Sequence, residues 1–185
     1  MKKIYSVLFA LLFFAGVSDV FSQNYITRNG MIRFYSEAPL ENIEAVNRHV
    51  SSIVNAETGE FVFRVVMRSF NFEKALMQEH FNENYIESHK YPNATFQGMI
   101  TNIDEIDFSE NGEYNAAVEG DLTIRNKTHR ISETGTFTVN GDEVTGSCIF
   151  MIKIADYDIE IPTAVIDNIA EEVEVTVEVP LKKMQ

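Results

Sequence analysis

Apolar and polar residues alternate with a period of two over most of the chain. Near the end, Val173, Val175, Val177 and Val179 interleave with Glu172, Glu174, Thr176 and Glu178, which predicts a strand with one dry and one wet face. Phe61, Phe63, Val65 and Met67 alternate in the same way with Val62, Arg64, Val66 and Arg68. The longest run goes from Tyr114 through Ala116, Val118, Gly120, Leu122 and Ile124, with Glu113, Glu119, Asp121, Thr123 and Arg125 on the opposite face. Phe137 and Val139 lead into Asn140-Gly141, which predicts a type I′ hairpin because both central positions of that turn need positive φ. The return strand carries Val144, Gly146, Cys148, Phe150, Ile152 and Ile154 on one face. Further strands are expected around Met31–Tyr35, Thr95–Ile103 and Tyr157–Ile161, with a turn at Asn111-Gly112.

Helical spacing is confined to two stretches. Leu40, Ile43, Val46, Val50 and Ile53 fall three or four apart and predict an amphipathic helix over Leu40–Val54. Phe72, Leu76, Met77, Phe81 and Tyr85 predict a second over Phe72–Ile86. Long alternating antiparallel strands with little helix point to a barrel or a sandwich. A barrel of about eight strands abolishes free edges and leaves an interior that either fills with side chains or holds one slender ligand. The number of apolar inward positions favours a greasy lumen.

The N-terminus suggests where such a barrel works. Met1, Lys2 and Lys3 precede an apolar run from Ile4 to Gly16, and Val20 and Ser22 suit a signal peptidase. Residues 1–22 are therefore expected to be a cleaved secretory signal, and 23–185 a single domain exported to the periplasm. The rival is an uncleaved anchor, for which the run is short. No cysteine follows the apolar region to carry a lipid. The one cysteine, Cys148, allows no internal disulfide and is expected to be a small buried hydrophobe.

The formal charge is −13, and loss of Lys2, Lys3 and Asp19 with the signal moves it to −14. Nucleic acid is excluded as a partner, because a polyanion is held by clustered Lys and Arg, and no such cluster is present. The same acidity argues against attachment to an anionic membrane.

Three blocks resemble the YceI-like family of periplasmic polyisoprenoid-binding proteins. Within Leu76–Gln97, Glu79-His80-Phe81-Asn82 and Tyr91-Pro92-Asn93-Ala94-Thr95-Phe96 are similar to a family stretch in which an acidic residue and His lead through a polar linker to a Tyr-Pro turn. Gly120 to Arg130 resembles its Gly-x-Leu-Thr strand, and Ile152–Asp156 with Val173–Val179 resembles its closing strands. The expected helix at Leu40–Val54, and Arg125-Asn126 where His-Gly is common, depart from the family pattern.

The resemblance implies an extended, lipocalin-like antiparallel barrel with one or two short helices at connections, holding an isoprenoid or other long-chain lipid along its axis without a cofactor. Phe61, Phe63, Val65, Phe96, Leu122, Ile124, Phe150 and Ile152 are the expected lumen residues. Met77, Phe81 and Tyr85 are the expected lid, and Arg125, Lys127, His129 and Arg130 the candidates for head-group contact. The alternative is an envelope stress or interaction module with a closed core and no lipid.

Enzymatic readings find little support. His49, His80, His89 and His129 lack the i, i+2 or i, i+4 spacing that places two imidazoles on one metal. There is no Gly-x-Ser-x-Gly elbow, phosphate loop or dinucleotide fingerprint. Binding without catalysis or metal is expected.

Overall fold

The computed structural model describes residues 23–184, so the segment read as an export signal lies outside the described residues. The strands are β1 (Asn24–Glu37), β2 (Asn42–Asn55), β3 (Glu60–Val66), the two-residue β4 (Asn71–Phe72), β5 (Asn93–Ile100), β6 (Gly112–Ile124), β7 (Lys127–Asn140), β8 (Glu143–Lys153) and β9 (Glu172–Lys183). One helix, α1 (Ala75–His80), runs directly into a π-helical turn, Phe81–Tyr85.

The sheet runs β1-β9-β8-β7-β6-β5-β3-β2 with every pair antiparallel, and β1 pairs back onto β2 to close an eight-stranded barrel. β4 adds a short pairing to β2 at Ala45↔Phe72. The mainly β, antiparallel barrel expected from the alternation is therefore the observed fold. No helix among the described residues is long and apolar enough to cross a membrane.

One end of the barrel is solid. Tyr25 stacks on Phe108 there and Phe108 meets Phe137 edge-on, with ring centroids 5.1 and 5.3 Å apart. Ile100, Ile106, Val139, Val144 and Leu181 fill the space around them. The β5–β6 connection closes this end by folding Ile106 and Phe108 inward. The other end, where β6 turns into β7 and β8 leaves for β9, is hollow.

Three local expectations are corrected. Leu40–Val54 is not a helix: Asn42–Asn55 forms β2, and Leu40 and Ile53 of the supposed buried face are exposed. The buried positions are Ala45, Asn47, Val50, Ser52 and Val54, a period of two broken once by an extra residue at Arg48-His49. Polar Asn47 and Ser52 disguise the dry face, and the bulge converts its spacing into one that mimics a helix. Asn47, fully buried, holds the bulge: its Nδ2 donates to the Val66 carbonyl at 2.8 Å and its Oδ1 accepts from the His49 N–H at 2.7 Å.

Tyr157–Ile161 is not a strand either. Ile154–Tyr157 is a 3₁₀ turn ended by Asp158 in the left-handed region, φ 55°. The alternation of Tyr157, Ile159 and Ile161 arises because this extended connection lies over the barrel end with its apolar side down.

The hairpin loop expected at Asn140-Gly141 is displaced by one residue. Asn140 pairs with Glu143, and only Gly141 has positive φ, 61°, as the first central position of a type II′ turn requires. The doubly left-handed turn is instead Arg125-Asn126, with φ 49° and 61°.

Removing the Asn47 amide would take both part-buried hydrogen bonds away, from the Val66 carbonyl and from the His49 N–H. Asn47→Ala is expected to lower unfolding stability by about 2 kcal/mol. Urea denaturation checks this, and an unchanged midpoint would mean that the bulge is held by something else.

Candidate functional site

The hollow end holds a chamber of about 340 Å³. Its walls are inward positions at the ends of six strands: Ile32 and Phe34, Val65, Ala94, Ile124, Ile152, and Val173 and Val175. Two covers complete it. One is α1 with its π turn, contributing Met77, His80, Phe81, Tyr85 and Ile86, and the other is the β8–β9 connection through Ile154, Ile159, Val165 and Ile169. Ser36, Glu41, His80 and Asn168 are the polar lining residues, and no Lys or Arg among the described residues contributes.

A smaller cavity of about 130 Å³ lies deeper, one layer further along the same strands. Phe61, Phe63, Phe96, Leu122 and Phe150 line it, together with Cys148 and Glu133. Phe96 lies along the wall rather than across the lumen, because inward-facing Gly98 and its partner Gly120 carry no side chain. A Cβ on Gly120 would come within 2.5 Å of Phe96 Cζ, and one on Gly98 would collide with the same ring. Burial and the Glu133 charge push the Cys148 thiol up to about 11, and burial raises the Glu133 carboxyl above its ordinary range.

Phe81 organises the mouth. Its ring packs against Phe34, Phe70 and Phe72 at centroid distances of 5.6, 5.4 and 5.0 Å. The π turn widens the helix after His80, where the Ile86 N–H donates to the Phe81 carbonyl at 2.9 Å. That extra residue per turn swings Phe81, Tyr85 and Ile86 onto the chamber side together.

Arg125 fastens the chamber's surroundings. Its Nη2 lies 2.8 Å from Glu87 Oε2, its Nη1 donates to the Asp158 carbonyl, and its guanidinium sits 5.7 Å from the Tyr91 ring centroid. Glu87, Arg125 and Asp158 all have positive φ, 52°, 49° and 55°, a conformation that costs an ordinary residue about 1–2 kcal/mol. One side chain thus joins three strained reversals of the chain: the end of the π turn, the β6–β7 turn and the turn after β8. Lys127 reinforces the last through Asp158 Oδ2 at 2.7 Å.

The eight expected lumen residues all face inward, in two groups. Val65, Ile124 and Ile152 line the mouth chamber, while Phe61, Phe63, Phe96, Leu122 and Phe150 line the deeper cavity. Met77, Phe81 and Tyr85 come together over the mouth chamber. The four basic candidates line neither cavity: Arg125 and Lys127 are paired as above, His129 Nε2 lies 2.7 Å from the Asp156 carbonyl, and exposed Arg130 pairs with Glu119 at 3.2 Å. Phe34, Phe70, Ile32 and the β8–β9 connection escaped the sequence reading. A Phe-rich stretch from Phe70 to Phe81 was the available signal for the aromatic mouth.

Residues 31–181 match the family model of the YceI-like domain. Among solved structures, a polyisoprenoid binding domain from Saccharophagus degradans implicated in plant cell wall breakdown aligns with a TM-score of 0.76 at 14% identity, covering 88% of this chain and 99% of that one. BcnA of Burkholderia cenocepacia aligns at 0.68 with 18% identity, covering 83% and 96%. A YCEI protein of Campylobacter jejuni aligns at 0.55 with 12% identity, covering 100% and 92%. No curated protein matches the chain. With β2 in place of the expected helix, the supposed departure from the family at Leu40–Val54 disappears.

Hydrogen bonds from Lys90 and then Arg125 hold the Glu87 carboxyl below its ordinary value of 4.5. A depressed carboxyl contributes stability above its unfolded value and loses it as pH falls through the folded one. Glu87→Gln is therefore expected to melt below the wild type at neutral pH and together with it in strong acid. Thermal melts at the two pH values check this, and a gap that persists in acid would sink it.

Proposed function

The chain belongs to the YceI-like family, and on that premise we propose that its barrel binds an isoprenoid or other long-chain amphiphilic lipid and carries or buffers it in the periplasm. The observation that carries this reading is the apolar mouth chamber, open at one end and walled almost wholly by Ile, Val, Met and Phe. The Saccharophagus relative named as a polyisoprenoid binding domain supports it. The basic and apolar run at residues 1–22 supports export.

Chamber size bears on the ligand. A cavity of about 150 Å³ accommodates benzene, so one of 340 Å³ has room for roughly a dozen carbons. At about 0.8 kcal/mol per methylene, burying a dozen yields on the order of 10 kcal/mol before the costs of ordering the chain and immobilising the complex. Hydrophobic transfer alone can then hold the ligand, and the reading requires no catalytic group.

The rim argues about the head group. Glu41 and His80 stand where a head group would sit, and the neighbouring cations are already engaged: Lys74 pairs with Glu41 at 2.5 Å and Arg125 with Glu87. A neutral head, such as a quinone or an alcohol, suits that setting better than a pyrophosphate, which would need free cations.

Ile124 points into the chamber from the end of β6. Ile124→Arg is expected to keep the circular dichroism spectrum of the wild type while losing most of the lipid that copurifies from the native host. Organic extraction and mass spectrometry of both proteins check this. Unchanged lipid content in the variant, or a wild type that is empty yet normally stable, would overturn the assignment in favour of a closed-core interaction module.

A further inference from the structure

The barrel wall is incomplete between β7 and β8. Their ladder runs only from Asn140↔Glu143 to Gly135↔Cys148, yet β7 continues back to Lys127 and β8 forward to Lys153. Over that length the two strands have no ladder partner on their facing edges among the described residues. The 3₁₀ turn Ile154–Tyr157 covers the far part of the gap, where Tyr157 packs edge-on against His129 at 5.1 Å. The near part, between Glu133 and Cys148, is left uncovered by that turn.

The deeper cavity lies behind this gap. Residues of both edges line it, Ile131 and Glu133 from β7 and Cys148 and Phe150 from β8, and its floor is the aromatic layer of the lumen. Outside, β8 shows Ile149 and Met151 to solvent at 62% and 53% exposure, so the outer lip is apolar as well. Glu133 is the exception among these groups. It sits opposite Val118 on the inner face, only partly exposed, with no ion-pair or hydrogen-bond partner among the described residues.

We propose that this gap is a lateral binding site, separate from the mouth chamber, for a cationic amphiphile: an alkyl chain enters the deeper cavity and its ammonium group is held at the lip by Glu133. The chemistry of the groups dictates the class. An apolar floor takes a chain, and a partly desolvated carboxylate without a counter-ion gains most from a positively charged donor. At about 130 Å³ the cavity takes roughly five carbons, with the rest of the chain lying across the apolar lip.

Cys148 lies inside the site and reports on it directly. Its thiol contacts the Thr134 carbonyl at 3.4 Å and is half-buried, so an occupant shields it from a thiol reagent. The experiment measures the rate of Cys148 alkylation by iodoacetamide in the full chain, at mildly alkaline pH where an alkylamine stays protonated, against increasing monomeric dodecylamine or dodecanol. In the wild type dodecylamine is expected to protect Cys148 at concentrations about tenfold below those needed for dodecanol. In Glu133→Gln, which keeps the shape of the side chain, the two should protect alike while dodecanol is unchanged.

Equal protection by both compounds in the wild type, a preference that survives in Glu133→Gln, or an alkylation rate that saturating dodecylamine does not alter would each overturn the proposal. The readout is local to the deeper cavity, so an empty mouth chamber in protein from the native host would leave it untouched. The reverse also holds.

Discussion

The structure depends on closure: β1 is hydrogen-bonded along both edges, to β9 and to β2, so the sheet bends into a ring. Closure fixes the radius. Once the radius is fixed, whether the interior is solid or hollow depends on the size of the inward side chains at each level. At one end Tyr25, Phe108 and Phe137 span the lumen and fill it. At the other the inward positions are Ile, Val and Ala, which reach too little of the radius to meet in the middle. The rings at that level, Phe34, Phe70, Phe72 and Phe81, are gathered to one side, where they form a wall.

Much of this was legible in the chain because a closed barrel imposes a strict period of two. β3, β6, β8 and β9 follow it without interruption, and most of the inward positions read from them line the two cavities. β2 was not legible as a strand, because its dry face includes a buried amide and a buried hydroxyl and its register shifts at a bulge. No local pattern distinguishes such a strand from a helix. Its identity is decided by β1 and β3 on either side, which are remote in their pairing even when close in sequence.

The site was legible in proportion to how far its residues act through the wall. Inward positions follow from alternation, and the residues gathered over the mouth chamber from a Met and aromatic stripe, so the placement of both could be read. The role of Arg125 could not be, since its partners Glu87 and Asp158 lie 38 and 33 residues away and are recruited by the backbones of other loops. An exposed basic turn and a basic turn that ties a structure together read identically in sequence. Only the positive φ at both positions of a turn lacking glycine hints that something outside the turn holds it.

Three separate reversals of the chain share the single guanidinium of Arg125, and each is in a conformation it would relax from if released. Such an arrangement couples the three reversals to one another through one side chain. Loss of either contact leaves the remaining strain opposed by less, so the segments around the mouth loosen together instead of fraying one at a time. On the proposed function, the rate at which the chamber exchanges a lipid would follow the lifetime of one half-buried ion pair, while the affinity for that lipid would follow the apolar walls. On that reading, the timing of release and the strength of holding fall to different residues.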